Sequence, residues 1–424
     1  MTLSPAAGAS PGPAPRVLVL ASAHSYRLDA FQSAATRLGV EVVRGLDAPP
    51  AFAGTGLNFL RLDFRDPARA TRQVARAARA HPFQAIIPTD DATVILAALL
   101  AGALGLPHNS VEAAELTRDK HLMRRRLAQA GLRTPWFSLF ATVANPAETA
   151  GQVQYPCVLK PTCLSGSRGV IRADDPPQFV QAFVRIRRLL ESLGLTEILV
   201  EGYIPGREFA LEGLLQQGSL TTLALFDKPD PLEGPFFEET LYLTPSREPP
   251  EIQAAIHVCV AEAARALGLR EGAVHGEVRV NADGAWLVEL AGRSIGGLCA
   301  QTLRFAHSGD VSLEGLILRQ ALGWQIESMQ RERQAGGVMM LPIPARGTLA
   351  GWRGLDEAQA VPGIESIEIT ARVNYPLKPL PEGESYLGFI FARGATPAVV
   401  ESALRAAHRC LKFDIEAPLA VTVS

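Results

Sequence analysis

The sequence predicts a multidomain protein of mixed class, with an α/β part near the N terminus followed by α+β parts. The chain has 424 residues, and about 150 residues per domain suggests two or three domains. A short, nearly all-apolar run at 16–22 is typical of a strand that is buried on both faces of a parallel sheet. Later apolar runs are separated by short glycine-containing turns, which is typical of antiparallel strands.

The first domain is predicted at 16–107 and contains an open, mostly parallel sheet. Strand-length apolar runs alternate there with helical segments, which is the pattern of βαβ units and of a Rossmann-like arrangement. The predicted strands are 16–22, 40–44, 59–63 and 85–88, and the predicted helices are 27–38 and 68–80.

A second domain is predicted at 108–330, with two α+β parts at about 136–205 and about 206–330. It opens with a single helix that carries Asp119 and Lys120 and runs to about Ala130, before Gly131 interrupts it. Its further predicted strands are 155–160, 169–172, 198–200, 207–215, 219–226, 274–280 and 285–290, and its further helices are 177–193, 252–267 and one that begins near 298.

A small α+β domain at 331–424 is predicted to complete the chain. Its strands are 338–343, 366–370 and 388–392, and its helix is 397–411.

Residues 1–15 are rich in Ala, Pro, Gly and Ser and lack the basic start and apolar centre of a signal peptide. They are therefore expected to form a disordered tail.

Composition and charge exclude several classes of partner. Apolar residues make up 47% and charged residues 20% of the chain, as in ordinary globular proteins. The formal net charge is −2, so no nucleic acid partner is expected. The densest cationic run, Arg124 to Arg126, is interpreted as the solvated face of a helix. The longest apolar runs, such as 92–104, are shorter than the roughly 20 residues of a membrane span, so no membrane partner is expected.

The cysteines predict a reducing environment. The five of them are an odd number, are widely spaced and include no Cys-x-x-Cys pair. This pattern favours a cytoplasmic protein without structural disulfides.

A lysine and a loop of small residues form the first candidate site. Lys160 ends an apolar strand, and the loop after it contains Ser165, Gly166 and Ser167. Successive backbone N–H groups of such a loop can reach phosphate oxygens while the lysine supplies a positive charge. The alternative is a plain β-hairpin with an exposed lysine.

A second candidate lies where the strand at 198–200 breaks at a Pro-Gly turn and resumes at Arg207. A backbone that leaves a strand exposes one carbonyl and one N–H group, which suit the polar edge of an adenine. Glu201 and Glu208 lie on either side of the turn and can bind ribose hydroxyls. The alternative is that both glutamates face water, as strand-edge glutamates usually do.

The third candidate is a pair of glutamates, Glu277 and Glu289, in neighbouring predicted strands. Side chains opposite one another across an antiparallel pair have Cβ atoms about 5 Å apart. Two carboxylates that close repel unless a proton or a cation lies between them, and Mg²⁺ prefers such oxygen ligands. Arg293 follows in a glycine-rich turn, where it can reach a phosphoryl group or an oxyanion.

In this order along the chain, the motifs resemble the signature of ATP-grasp ligases, which join a carboxylate to an amine at the expense of ATP. The resemblance covers nearly the whole chain, and the segment Glu289 to Gly297 is similar to that of the L-amino-acid ligases, which make dipeptides. One position departs from the pattern: many ATP-grasp enzymes have Asn two residues after the last glutamate, where this chain has Ala291. A second metal ion would then be held less completely, or by substrate oxygens.

The resemblance implies roles for individual residues. Arg293 and Lys160 would be catalytic, and Glu277 and Glu289 would hold Mg²⁺, or Mn²⁺ in its place. ATP would be bound by Lys120, Lys160, Ser165, Gly166, Ser167, Glu201, Ile204, Glu208 and Lys228. The implied partners are a carboxylate and an amine substrate, with amino acids favoured, and a homodimer is left open.

Two further features have a functional and a structural interpretation. The Pro-rich, acidic loop at 225–240 is long enough to act as a lid that brings Lys228 to the γ-phosphate, or it is an ordinary surface loop. His275, two residues before Glu277, can contact the substrate or act as a base for the amine, or it is a structural histidine.

Two other functions remain as alternatives. Gly292 to Gly296 matches the G-x-S-x-G elbow of serine hydrolases, and Asp310 and His408 follow Ser294 in the order of a hydrolase triad. No H-G-G-G segment for an oxyanion hole occurs, and a hydrolase leaves Lys160 and Glu277 without a role. The second alternative is a non-catalytic, nucleotide-binding regulator.

Overall fold

The structure is a computed structural model that describes residues 14–22, 25, 27–47, 58–306, 309–383 and 385–417. The expected tail at 1–15 lies outside these residues except for its last two positions. The chain forms two compact units, of which the first comprises the described residues up to His108 together with Glu314–Ile326. The second comprises Asn109–Leu313 and the described residues from Glu327 onward. The predicted boundaries near 107, 205 and 330 stay predictions.

The first unit contains a parallel sheet of four strands, in the order β3-β2-β1-β4. This confirms the predicted open parallel sheet. The strands are β1 (Arg16–Ala21), β2 (Glu41–Leu46), β3 (Phe59–Arg61) and β4 (Ala85–Pro88), and the helices are α1 (Leu28–Leu38), α2 (Pro67–Ala80) and α3 (Val94–Ala103).

Sequence signals explain how these elements begin and end. Leu18 and Leu20 of β1 are fully buried in a core that α2 and α3 complete. The carboxylate of Asp66 accepts a hydrogen bond from the Arg69 N–H and caps α2. Gly39 ends α1 in the left-handed conformation that glycine adopts without strain.

The second unit is organised around an antiparallel sheet of eight strands, in the order β13-β12-β9-β10-β11-β16-β20-β18. Its strands are β9 (Arg207–Gln216), β10 (Ser219–Asp227), β11 (Leu241–Thr244), β12 (Gly272–Asn281), β13 (Gly284–Ala291), β16 (Ala335–Leu341), β18 (Ile364–Ile369) and β20 (Gly388–Gly394). The predicted antiparallel strands at 207–226 and 274–290 are confirmed.

Three smaller sheets accompany it, in the orders β5-β8-β6-β7, β14-β15 and β19-β17-β21. Their strands are β5 (Phe137–Ala141), β6 (Cys157–Pro161), β7 (Ile171–Ala173), β8 (Glu197–Gly202), β14 (Arg304–Phe305), β15 (Val311–Ser312), β17 (Gly347–Arg353), β19 (Pro376–Leu377) and β21 (Lys412–Glu416). The helices after α3 are α4 (Val111–Arg118), α5 (Lys120–Gln129), α6 (Pro146–Ala150), α7 (Pro176–Glu191), α8 (Pro250–Leu267), α9 (Leu313–Ala321), α10 (Leu355–Gln359) and α11 (Pro397–Cys410).

Helix periodicity determines which faces are buried. Phe179, Phe183, Ile186 and Leu190 recur at spacings of three and four along α7, and they pack against β6 and β8. In the same way, one face of α8 packs against β9, β12 and β13. The sheet that will position the candidate site is therefore backed by a helix.

Two predicted helices differ in the structure. The helix predicted to run to about Ala130 is two helices, because Asp119 adopts extended backbone angles between them. The Asp119 carboxylate accepts a hydrogen bond from the Leu122 N–H at 2.8 Å and so starts α5. The helix predicted near 298 is a single 3₁₀ turn at Cys299–Thr302.

Within the described part of the chain, no helix combines the length and the apolar character that crossing a bilayer requires.

Candidate active site

The pairing of β12 with β13 positions the predicted metal ligands. The register places Glu277 directly opposite Glu289, as the sequence predicts. On its other side β12 pairs with β9, which brings Glu208 opposite Arg279. Acidic side chains from three adjacent strands thus converge on one region of the sheet.

A buried cluster of charges forms around Lys228. Its ammonium group donates hydrogen bonds to Glu208 at 2.8 Å, to Glu277 at 3.3 Å and to Glu239. The Lys228 side chain is only 3% exposed. Lys228 does lie in the predicted lid segment, but it is buried under carboxylates rather than extended on a surface loop. Its role toward ATP stays a prediction.

Burial and neighbouring charges perturb this cluster. Burial and the nearby carboxylates of Glu239 and Glu208 raise the pKa of Glu277 to about 7, even though Lys228 acts in the opposite direction. Burial lowers the pKa of Lys228, but the carboxylates of Glu208, Glu239 and Glu277 outweigh it and hold that pKa well above the usual value. The Glu277 carboxyl group therefore keeps its proton to a higher pH than an ordinary glutamate does.

The donor set fits a divalent cation. Glu208, Glu239 and Glu277 each offer a carboxylate oxygen, and these oxygens lie within 4.8 Å of one another. Carboxylates are ligands that Mg²⁺ prefers, and the ammonium group among them shows that this region accommodates a cation. Glu239 was not predicted, because it lies in an irregular segment. Glu289, the predicted second ligand, is outside this group of three.

Glu289 pairs instead with Lys120, the first residue of α5. The Lys120 ammonium donates to the Glu289 carboxylate at 2.9 Å and to the Leu164 carbonyl at 2.7 Å. The Lys120 backbone N–H also donates to the Thr162 carbonyl, at 2.8 Å. Lys120 therefore joins one predicted metal ligand to the start of the predicted phosphate loop.

The loop between β6 and β7 spans residues 162–170 and has small residues at its centre. Ser165 and Gly166 are exposed. Gly166 has a φ of 61° and Ser167 has a φ of 55°. A positive φ is uncommon for a residue other than glycine, so the conformation of Ser167 is unusual. The antiparallel pairing of β6 with β7 suits both a hairpin and a phosphate cradle, so the roles of Ser165, Gly166 and Ser167 stay predictions.

Lys160 is not the exposed lysine of the alternative interpretation. Its side chain is 5% exposed and forms an ion pair with Glu201. Arg124 donates to the same carboxylate at 2.8 Å and 3.3 Å, and its remaining hydrogen bonds reach the carbonyls of Leu287 and Val288, both at 2.9 Å. Both oxygens of Glu201 are thus engaged by cations, and the predicted contact of Glu201 with adenine stays a prediction.

The interpretation of the arginine run as a solvated face is wrong for Arg124. This side chain is 2% exposed, whereas Arg125 is exposed. The physical reason is the periodicity of α5, which turns position 124 towards the core beside Met123 and Leu127. A carboxylate from β8 and two backbone carbonyls of β13 compensate the buried charge.

The buried position of Glu201 makes protein stability depend on pH. Burial alone raises the pKa of Glu201, but Arg124 and Lys160 outweigh it and lower that pKa to about 2. Because this value lies below the ordinary one of about 4.5, the stabilisation is complete above pH 5 and is lost as pH falls towards 2. Between pH 6 and pH 3 we expect wild type to lose about 2 kcal/mol more unfolding free energy than Glu201→Gln. Urea denaturation at each pH measures this difference, and parallel losses in the two proteins would contradict the ion-pair assignment.

Ile204 and Glu208 lie beside a buried arginine. Arg279 donates to the Glu208 carboxylate at 2.7 Å and to the Ile204 carbonyl at 2.8 Å. Its guanidinium lies over the rings of Tyr203 and Phe237, with 5.2 Å and 5.5 Å to their centroids. Arg279 was missed because a lone arginine in a strand has no distinctive pattern. The predicted adenine and ribose contacts stay predictions.

Arg293 lies in the turn after β13 and donates to the Ser294 carbonyl at 2.9 Å. The turn is anchored by Glu212, which is fully buried and accepts from the Ile295 N–H at 3.1 Å and 3.0 Å. Glu212 also lies 3.2 Å from Nδ1 of His275. Burial, together with the nearby Arg293 and Lys228, lowers the pKa of His275, against the opposing effect of Glu212. His275 lies on β12, the strand that carries Glu277, and is paired with Glu212 of the neighbouring strand β9. Its role toward the substrate stays a prediction.

The serine of the hydrolase alternative does not have the exposure that an elbow requires. A nucleophile elbow presents its serine at the surface of the sheet. Ser294 is 2% exposed. It lies in a turn between Arg293 and Ile295, whose hydrogen bonds to the Ser294 carbonyl and to Glu212 hold the turn in place. These features disfavour nucleophilic catalysis by Ser294.

Three family models match the chain. They are an ATP-grasp N-terminal domain at 31–108, an ATP-grasp domain at 153–302 and an L-amino acid ligase C-terminal domain 2 at 339–416. The L-amino acid ligase of Bacillus licheniformis has a similar structure, with a TM-score of 0.77 and 25% identity over 95% of this chain and 99% of that one.

Curated relatives are similar over part of the sequence. Dapdiamide A synthase of Enterobacter agglomerans is 29% identical over 63% of this chain and 65% of its own length. Alanine–anticapsin ligase of Bacillus subtilis is 26% identical over 53% of this chain and 51% of its own length. The match thus spans less than two thirds of either relative. With the mixed α/β architecture and the order of the matched models, these similarities show that the chain contains ATP-grasp domains and is similar in structure to an L-amino acid ligase.

Proposed function

We propose that the protein is an ATP-dependent carboxylate–amine ligase that forms an amide or peptide bond between small molecules and releases ADP and phosphate. Amino acids are the proposed substrates, because the relatives named above include an L-amino acid ligase and an alanine–anticapsin ligase. The observation that carries the proposal is the convergence of Glu277, Glu289 and two buried lysines beside a loop of small residues.

The proposed reaction has two group transfers. A carboxylate oxygen of the first substrate attacks the γ-phosphorus of ATP, the bond from that phosphorus to the bridging oxygen breaks, and ADP leaves. The amine nitrogen of the second substrate then attacks the acyl carbon. The bond from that carbon to the phosphate oxygen breaks, phosphate leaves, and the nitrogen loses a proton.

The residues of this chain have separate proposed tasks. Lys120 and Lys160 neutralise the phosphates, while Ser165, Gly166 and Ser167 enclose them. Arg293 stabilises the oxyanion of the tetrahedral intermediate. The adenosine is bordered by Glu201, Ile204 and Glu208, and Lys228 reaches the γ-phosphate.

The carboxylates have the composition of a divalent-cation site. Glu277 and Glu289 would hold Mg²⁺, or Mn²⁺ in its place, and Glu239 lies close enough to Glu277 to join them. When bound, the cation would offset the negative charge of the phosphate oxygens. A shift of Lys120 away from Glu289, towards an arriving phosphate, would free that carboxylate.

The cellular setting is proposed from the thiols. All five cysteines lie in the described part of the chain and are free. The reducing, cytoplasmic environment is proposed from their number and spacing. A homodimer remains an open proposal.

An amino-acid panel tests the proposed function. Pairs of amino acids are incubated with ATP and Mg²⁺, phosphate release is measured, and mass spectrometry identifies the products. We expect one or a few pairs to release phosphate and yield a product lighter than the summed substrates by one water. ADP without a new amide would indicate a kinase or an idle ATPase, and no nucleotide turnover would favour the non-catalytic regulator.

A further inference from the structure

A groove of about 870 Å³ lies in the second unit, away from the carboxylate cluster. One wall is the outer face of α7, which contributes Arg185 and Arg188. The other wall consists of Arg346, between β16 and β17, with Lys378 and Glu382 after β19. Because both walls carry cations, the positive charges face one another across a concavity.

The charges in this groove are unbalanced. Apart from Arg168 at the end of the phosphate loop, four of its lining side chains are cationic and one is acidic. That carboxylate, Glu382, is occupied by Arg185, which donates to it at 2.6 Å and 2.9 Å. Among the residues that the structure describes, Arg188, Arg346 and Lys378 have no ion-pair partner. The whole chain has a net charge of −2, so this excess is local.

Physical chemistry makes such a concavity attractive to anions. Like charges that converge repel one another, and a cleft lined by one sign of charge concentrates counter-ions. The low pKa of Glu382, caused first by its hydrogen bonds with Arg185 and also by Arg346, reflects the same positive field. The volume lies in the range of small-molecule pockets, about 300–1,000 Å³. Val180, Val184 and Leu189 add an apolar surface.

The groove is also connected to the predicted phosphate loop. The N–H of Gly169, next to Arg168, donates to the Pro381 carbonyl at 2.8 Å. This bond joins the end of the loop to the segment that carries Lys378 and Glu382. Arg168 and Glu382, which adjoin the two bonded residues in the sequence, both line the groove.

We propose that this groove is a second ligand site, which binds a small polyanion carrying phosphate or carboxylate groups. Arg188, Arg346 and Lys378 supply the charges, and the apolar residues of α7 contact the body of the ligand. The site is separate from the proposed nucleotide site and does not depend on the proposed ligase activity.

Calorimetric titration tests this site with two probes, inorganic tripolyphosphate and citrate, at fixed ionic strength. The double variant Arg188→Gln/Lys378→Gln removes two charges that no proposed catalytic step uses. The matched control is Arg265→Gln on α8, whose side chain is 76% exposed. We expect saturable binding to wild type and to the control, and binding weaker by about tenfold in the double variant.

The comparison also identifies the chemistry of the ligand. Tighter binding of tripolyphosphate assigns the site to phosphates, and tighter binding of citrate assigns it to polycarboxylates. ATP-dependent phosphate release should be equal in all three proteins, since none of the replaced residues lies in the nucleotide site. The proposal is overturned if neither probe binds saturably, or if the double variant binds both as tightly as wild type does.

Discussion

Glu277→Gln is expected to reduce ATP-dependent phosphate release at least about a hundredfold, the largest effect on activity that we predict. Glutamine keeps the size of the side chain but loses the charge that would hold a divalent cation. Glu277 is the common member of the sequence-predicted pair and of the structural group with Glu208 and Glu239. Glu289→Gln should act in the same direction.

Measurements of stability and of metal binding distinguish the loss of the metal site in Glu277→Gln from misfolding of the variant. Because burial raises the pKa of Glu277 to about 7, its charge opposes folding of the metal-free protein above that pH. The free energy of unfolding of Glu277→Gln at pH 8 should therefore not fall, while calorimetry should show weaker Mn²⁺ binding. Glu251→Gln on the exposed surface of α8 is the control. Unchanged turnover and metal affinity in Glu277→Gln would refute the metal assignment.

Arg124→Gln is expected to lower the free energy of unfolding by about 3 kcal/mol, the largest effect on stability that we predict. The substitution removes two hydrogen bonds to Glu201 and one each to the carbonyls of Leu287 and Val288. Glu201 would keep only Lys160 as a partner in a buried environment, and a buried charge with too few partners destabilises a fold strongly.

The neighbouring Arg125 offers a matched control. Like Arg124 it is an arginine of α5, and it is the next residue in the sequence, but its side chain is exposed. Arg125→Gln should change the free energy of unfolding by less than about 0.5 kcal/mol. Urea denaturation of both variants measures the difference, and equal stabilities would show that the Arg124 cluster contributes little.

The same contrast shows what sequence patterns can and cannot predict here. Arg124, Arg125 and Arg126 form one uniform run, and charge alone favours a solvated helix face. Which arginine is buried depends on the residues that bind it. The partners of Arg124 are Glu201 of β8 and the Leu287 carbonyl of β13, which are more than 70 residues away in the sequence. Long-range compensation of this kind leaves no local pattern.

Local sequence patterns were sufficient to predict contacts between residues that are close together in the sequence. The pairing of Glu277 with Glu289 follows from two strands joined by a short turn, and the parallel sheet follows from the regular alternation of apolar strands with helices. Glu239 has no such pattern, because it lies in an irregular segment that only the tertiary fold brings to Glu277. The break at Asp119 was missed because Asp both caps helices and occurs within them.

The short strand β11 links parts of the chain that the matched models treat separately. Leu241–Thr244 bonds to β10 on one side and to β16 on the other. The ATP-grasp match ends at 302 and the C-terminal match begins at 339, yet one continuous hydrogen-bonded ladder crosses from one to the other. The modules distinguished by sequence thus share one sheet within one compact unit, and the acidic residues of the candidate site lie at the end of that sheet opposite to the C-terminal strands.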